Sequence, residues 1–446
     1  MATGAGGDSV AAGGGGRGGG GGQGSGGTGG GGGSVTSSTG GAIAGQGGTT
    51  PSGGSSGRGG AAGSGGRAAT GGAGGAGGAA GAAGAAGAAG ANASGGSGPS
   101  GPPLTMVTKI GSGAAAASTC AVLADTSLRC WGQNSANYAP GGNRMASPIP
   151  VAVSGVTGVV SVAVSGGATC AALTGGTVRC WGGSGYGLGD GTTKESATPV
   201  TVAGIATARA VAAGADHFCA LLADGTVECW GSNMYFQLGV QVPDSYSGTP
   251  VAVNGVSGAT AIVAGYFNTC AIVANGAARC WGDNRTGQFG NGSTGSGFAS
   301  AAVSGLTGAI SIALGRFHTC AALANGSVWC WGSGRNPDGT EPSPLTPVQI
   351  GGVADAAAVA GAAQRTCALL ASGTAQCWGT AVTIPNPPPL LAGLSGATAM
   401  VAGYNHSCAL LANGTVQCWG ANSNGELGIG AISSTSITTP TTVVDH

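Results

Sequence analysis

The sequence predicts an all-β fold, a seven-bladed β-propeller preceded by a disordered glycine- and alanine-rich tract, and three observations predict it. First, the fourteen cysteines fall into seven pairs of identical offset: Cys120 with Cys130, Cys170 with Cys180, Cys219 with Cys229, Cys270 with Cys280, Cys320 with Cys330, Cys367 with Cys377 and Cys408 with Cys418. Second, each pair ends in Trp-Gly, at Trp131, Trp181, Trp230, Trp281, Trp331, Trp378 and Trp419, and successive pairs begin 50, 49, 51, 50, 47 and 41 residues apart. Third, each copy is built from short apolar runs separated by glycine-containing turns. A period near 50 residues made of short strands marks an array whose units bury their apolar faces only against one another.

Taken in order, residues 1–103 are a low-complexity tract of Gly, Ala, Ser and Thr without an aromatic residue. Such a segment has too little apolar surface to offset chain entropy and reads as a flexible tether. Glycine recurs every third residue from Gly72 to Gly90, but no proline accompanies it to favour the polyproline geometry of a collagen strand. Gly101-Pro102-Pro103 marks the boundary, and residues 104–446 form the propeller, with blades starting near Leu104, Val159, Ala208, Ala259, Ala309, Ala356 and Ala397.

Blade three serves as the template. Ala210 to Gly214 is a run of small residues suited to a crowded axis; Phe218 to Leu222 and Thr226 to Trp230 follow as a hairpin joined by Ala223-Asp224-Gly225. The joint is Asn-Gly at 275, 325 and 413, Gly-Gly at 175 and Ser-Gly at 372, so most copies place a residue tolerant of positive φ at the end of a three-residue loop. Blade one has Asp125-Thr126 there, the most strained of the seven. A fourth run, Thr198 to Val202, recurs at Pro150, Pro250, Pro347 and Pro440, each proline expected to lead a strand or to lie on an outer edge. The last of these completes blade seven, whether it pairs there or latches onto blade one. Blade six carries the stiff run Ile384 to Pro389 in place of a glycine loop.

Centring the hairpin on Asp224 sets Cys219 opposite Cys229 on one face, with Leu221 and Val227 beside them. Opposed residues are close enough for a bridge, so the sequence predicts seven cross-strand disulfides inside the blades. Each contributes about 2 to 3 kcal/mol on the chain-entropy model. Trp230 points to the other face, toward a neighbouring blade.

The pattern Gly-x-x-His-x-x-Ala-Leu, then Gly-x-Val-x-x-Trp-Gly, is followed by Gly287-Gln288-Phe289-Gly290-Asn291-Gly292 in blade four and by Gly425 to Gly430 in blade seven. It resembles the regulator-of-chromosome-condensation (RCC1-like) repeat, and the resemblance implies a seven-bladed propeller over residues 104–446. The tail is shortened at Tyr186 to Gly189 and lost after Trp331 and Trp378. A cysteine in both hairpin strands of every blade departs from that family and points to an oxidised relative. The resemblance also implies one activity, guanine-nucleotide exchange on a small GTPase, although the near-constant repeat length leaves no room for the inserted wedge of such factors.

Composition excludes several classes. Net charge is zero and only 6% of residues are charged, which leaves no electrostatic footprint for nucleic acid or an anionic membrane. No run reaches the roughly 18 apolar residues of a membrane span. Paired cysteines without a leftover argue for an oxidising, extracytoplasmic setting, secreted or at the cell surface, and their ten-residue offset lacks the short spacing and histidine partners of zinc sites. Met1 to Asp8 carries neither the basic region nor the apolar run of a signal peptide. A cytoplasmic location is therefore the alternative.

Candidate site residues lie just before the first cysteine of each copy. Blades one and two are bare there. Blades three to seven bring Asp216 and His217; Tyr266, Phe267 and Asn268; Arg316, Phe317 and His318; Gln364 and Arg365; and Tyr404, Asn405 and His406. Aromatic and arginine side chains anchor binding patches, so this rim is the candidate ligand-binding face. The histidine slot equally fits a structural position whose ring caps local backbone. His217, His318 and His406 fall in alternate blades and do not converge as a zinc site requires. Carboxylates are scattered, no nucleophile elbow with triad partners occurs, and the cysteines are committed to bridges. The sequence thus reads as a monomeric, non-enzymatic module that needs no cofactor and binds a protein or glycan.

Overall fold

The computed structural model describes residues 101–134, 145–183, 185–332, 344–379 and 388–445. The tract read as a disordered tether lies outside the described residues up to Ser100, as do residues 384–387 of the proline-rich run in blade six. Seven antiparallel sheets follow one another along the chain, six with four strands and the blade-six sheet with three, and they form a seven-bladed propeller. In blade three the strands are Ala208–Ala213, His217–Leu222, Val227–Ser232 and Tyr246–Ala252, each hydrogen-bonded to the next in sequence. Blade six consists of Ala356–Gly361, Arg365–Leu370 and Ala375–Gly379, with a single bridge from Gln376 to Leu390 where a fourth strand would pair.

The first strands ring the axis. Their ends, Ala213, Ala264, Leu314, Gly361 and Ala402 among them, line a cavity of about 210 Å³ on that axis. Small residues at most of these ends, Gly113, Ala213, Ala264, Gly361 and Ala402, allow the first strands of blade one and blades three to seven to converge there. Behind them the hairpins hold the predicted register: Cys219 opposes Cys229 and Leu221 opposes Val227, and the same pairing repeats in every blade. All seven predicted disulfides form within blades. Cys120 is bonded to Cys130, Cys170 to Cys180, Cys219 to Cys229 and Cys270 to Cys280, and the series continues with Cys320 to Cys330, Cys367 to Cys377 and Cys408 to Cys418. The bridged Cα atoms stand 4.0 to 4.1 Å apart in every blade.

Adjacent blades meet at these bridges. Cys170 and Cys180 of blade two pack with Leu188 and Val202 against Trp230 and Phe218 of blade three, and Cys408 and Cys418 of blade seven pack with Leu427 against Trp131 of blade one. Likewise Cys120 and Cys130 of blade one face Trp181 of blade two, and Cys270 and Cys280 of blade four face Trp331 of blade five. Trp131, Trp181, Trp230, Trp281 and Trp331 are fully buried. A tryptophan removes roughly 150 to 250 Å² from water, worth about 4 to 6 kcal/mol at each joint.

Three local outcomes refine the sequence reading. Pro347 leads its strand, Val348–Gln349, whereas the other repeated prolines lie on outer strands without leading them: Pro150 inside Ser147–Ala152, Pro199 and Pro250 inside Ser196–Thr201 and Tyr246–Ala252, and Pro440 inside Ser433–Thr442. Pro199, Pro250 and Pro440 directly precede the residue paired with the blade's second cysteine, Val200, Val251 and Thr441, where the register skips. An edge strand with a bulge has no ladder bond for proline to break. Thr126 adopts φ +66° at the blade-one turn, as its strain predicts, whereas blade four places both Asn275 and Gly276 in the left-handed region rather than one residue. Finally, Ser433–Thr442 pairs with Val416–Asn422 inside blade seven. The ring closes through Leu104 N donating to Val443 O at 2.9 Å, Asp445 N donating to Pro102 O at 2.7 Å, and an Arg129–Asp445 ion pair.

Candidate functional site

The rim is built by the turn between the first and second strands. In blade three, Gly214 N donates to His217 O at 2.9 Å, closing a tight turn that leaves Ala215 buried and Asp216 half-buried at the rim. The equivalent bond recurs from Ser165, Gly265, Gly315, Ala362 and Gly403. Neighbouring turns are tied in three places, by Ala215 N to Tyr266 O, Arg316 N to Ala363 O and Tyr404 N to Ala116 O. Those are the blades that carry histidine.

The histidines point away from solvent. His217 and His406 are buried and His318 is partly so; the Nε2 of each meets a threonine hydroxyl of the next blade, at 2.8 Å to Thr269, 2.8 Å to Thr366 and 2.7 Å to Thr119. The preceding glycine is part of the same device, because a Cβ on Gly214, Gly315 or Gly403 would stand 2.1 to 2.2 Å from the imidazole Cε1. Where blade two has Ala168 in the slot, blade three answers with Phe218, an apolar match. Burial holds His217 down to about 3 and both His318 and His406 to about 4, so all three are neutral near pH 7. Asn268 fills the slot in blade four, buried and with neither amide atom hydrogen-bonded. Among the described residues no three His, Cys, Asp or Glu side chains group as a metal site.

The other candidates form a surface. Tyr266 and Phe267 meet edge to face at 4.8 Å, Phe267 lies 4.7 Å from Tyr235, and Tyr266 lies 6.3 Å from Tyr404. Tyr404 and Tyr266 belong to blades seven and four, on opposite sides of the ring, so their rings meet across the rim end of the axial cavity. Arg316 stacks over Tyr266 at 5.0 Å and over Phe317 at 4.9 Å, and Arg285 covers Tyr235 at 4.6 Å. Burial raises the Tyr266 hydroxyl, the neighbouring Tyr404 and Asp216 raise it further, and Arg316 opposes them. Burial also raises the Asp216 carboxyl. Gln364, Arg365 and Asn405 are exposed on the same rim.

Tyr235 and Arg285 were not among the sequence candidates, since they come from the loop after Trp-Gly rather than from the rim turn. That loop carries a spacing the sequence does display, Trp-Gly-x-Asn-x-x-x-Gln/Glu-Leu/Phe-Gly, in blades three, four and seven. Asn233, Asn284 and Asn422 each accept the backbone N–H of Leu238, Phe289 and Leu427, at 3.0, 2.8 and 3.1 Å. Gln237, Gln288 and Glu426 then present a backbone carbonyl to the indole N–H of Trp281, Trp331 and Trp131, at 3.0, 2.7 and 3.0 Å. Phe236 sits at φ +64° where the other two loops have Gly287 and Gly425, which explains why the blade-three copy is hard to see.

The sequence model of the regulator of chromosome condensation (RCC1) repeat matches residues 208–237, 259–288, 309–338 and 397–426. No curated protein matches the chain. Among solved structures, human WBSCR16 is 19% identical, with 71% of this chain and 94% of that chain covered and a TM-score of 0.61. Prp20p from Saccharomyces cerevisiae, characterised together with its binding to Gsp1p and histones, is 18% identical, with 78% of this chain and 87% of that chain covered and a TM-score of 0.58. Both show the fold. With four of its blades matched by the repeat model and the ring closed at seven, the chain is an RCC1-like repeat protein.

Proposed function

We propose that this propeller is a non-enzymatic binding module that works outside the cytoplasm and holds a protein partner on the rim of blades three to seven. The observation that carries the reading is the run of rings Tyr404, Tyr266, Phe267 and Tyr235 across the rim, flanked by Arg316. Aromatic and arginine side chains concentrate binding energy when a partner covers them. Seven bridges and no free cysteine support an oxidising compartment. The yeast structural neighbour is described as binding Gsp1p and histones, which supports a protein as the partner class.

The test compares the full chain with the quadruple variant Tyr266→Ala, Phe267→Ala, Phe317→Ala, Tyr404→Ala. Both are presented to cell-surface proteins and to a glycan array after confirming that all seven bridges are present. Ligands kept by the parent and lost by the variant identify the partner class; equal retention refutes the site. Accelerated release of labelled GDP from a small GTPase by the same preparation would replace this reading with the exchange activity implied by the family resemblance.

A further inference from the structure

Seven arginines lie among the described residues, and five have their guanidinium occupied. Arg129 pairs with Asp445 and Arg285 with Asp283, while Arg179, Arg209 and Arg279 donate to backbone carbonyls or to Ser300. Arg316 and Arg365 are the exceptions. Neither has a hydrogen-bond acceptor or an acid among the described residues, and the Nε of Arg316 is buried with no partner. Both stand on the rim, in blades five and six. Their turns are joined by Arg316 N donating to Ala363 O at 2.9 Å and by the His318–Thr366 contact at 2.8 Å, directly beside Arg365.

Of the two, only the Nε of Arg316 is buried without an acceptor; Arg365 is exposed and Arg316 half-buried, so their terminal N–H groups can take acceptors supplied from outside the chain. Arg316 is also fixed in place, its faces stacked on Tyr266 and Phe317, so the edge of the plane with its forked N–H groups remains to be used. A stacked, immobilised fork matches a carboxylate in two parallel hydrogen bonds, which a lysine could not do. We propose that Arg316 and Arg365 form a carboxylate clamp that receives acidic side chains of a protein docking on the aromatic rim. The clamp rests on the rim being the binding face and specifies the chemistry it takes. Charge complementarity selects an acidic segment, and the surrounding Tyr and Phe rings give that segment's apolar residues a place to pack.

The experiment uses the oxidised full chain and a fluorescein-labelled peptide alternating Glu and Leu, read by anisotropy at low and physiological salt. Its Gln-for-Glu and Lys-for-Glu counterparts and a labelled oligogalacturonate run alongside. The clamp predicts binding of the Glu peptide that weakens with salt and falls at least about tenfold in the Gln counterpart. It predicts a similar loss in Arg316→Gln and Arg365→Gln, with Arg316→Lys recovering only part because charge returns without the fork. Failure of the Glu peptide to bind, or equal binding of the Gln peptide, overturns the proposal. Binding of the oligogalacturonate alone overturns the assignment to protein. Loss of peptide binding in the double variant Tyr266→Ala, Tyr404→Ala but not in Arg316→Gln, Arg365→Gln sinks the clamp and leaves the rim standing. Binding unchanged in both variants sinks the rim as the docking face. Retained disulfides and an unchanged thermal transition establish that each variant is folded.

Discussion

Acid should loosen this propeller through its three interblade histidines, and His217 gives the effect its cleanest test. An unfolded chain takes up a proton on histidine near 6.5, whereas the folded environment of His217, buried against Thr269, resists protonation until about 3. The folded pKa is the lower one. Stability from the neutral ring is therefore complete above about 6.5 and drains away as pH falls through the window from 6.5 toward 3. The slope within that window is about 1.4 kcal/mol per pH unit, so His217 alone removes about 3 kcal/mol between pH 6.5 and 4.5. His406 adds a similar slope down to about 4, and His318, less fully buried, adds somewhat less. The assay is urea unfolding of the disulfide-intact chain at pH 7, 5.5 and 4.5, for the parent and for His217→Asn, since Asn268 already occupies this slot in blade four. Carboxylates titrate alike in both proteins and cancel in the difference. The parent should lose about 1.4 kcal/mol per pH unit more than the variant. Equal pH slopes would show that the ring is not held neutral at the blade joint and would refute the clasp.

Other perturbations probe the remaining joints. Trp281→Phe should destabilise by about 1 kcal/mol more than Trp230→Phe, because only the Trp281 indole donates to a carbonyl, that of Gln237, while the Trp230 indole has no acceptor; equal losses in urea would deny the hydrogen bond its role. Cys330 and Cys377 are partly exposed, whereas the cysteines of the other five bridges, Cys130 and Cys280 included, are buried, so mild reductant should open the blade-five and blade-six bridges first. Time-resolved alkylation with peptide mapping reads the order, and uniform opening would contradict it. Thr126→Gly should raise stability by about 1 kcal/mol by relieving a β-branched residue at φ +66°; a lower unfolding midpoint would mean that the Thr126 hydroxyl bond to Gly158 N outweighs the strain.

The hairpins were legible because a strand alternates with a period of two: once Asp224 is the centre of the turn, the opposition of Cys219 and Cys229 has one solution. Ring closure was not, since Pro440 to Val444 offers the same edge to blade seven or blade one and only the position of Val416–Asn422 decides. The histidines fell between. Their rim position was visible, but a ring on one blade reaching a threonine on the next is a relation between repeats. Its trace was nevertheless in the sequence: His217, His318 and His406 are answered by Thr269, Thr366 and Thr119, and Ala168 by Phe218. The meeting of Tyr266 with Tyr404 left no such trace, because it joins opposite sides of the ring.

The economy of the blade joints bears on what the rim is for. Alanine, valine, leucine, isoleucine, cystine and one tryptophan per blade fill the interfaces between blades, and of the phenylalanines and tyrosines described only Phe218 and Phe289 are fully buried. Every other ring remains at least partly open to solvent, on blades two to five and seven. In a chain with so few aromatics, the rings that meet at the rim with Arg316, those of Tyr235, Tyr266, Phe267, Phe317 and Tyr404, are not used by the core and are surplus to folding. Removing them should spare the unfolding transition and strike only at binding. A loss of stability on truncating Tyr266 and Tyr404 comparable to that of a buried tryptophan would instead make these rings the plug of the axial channel.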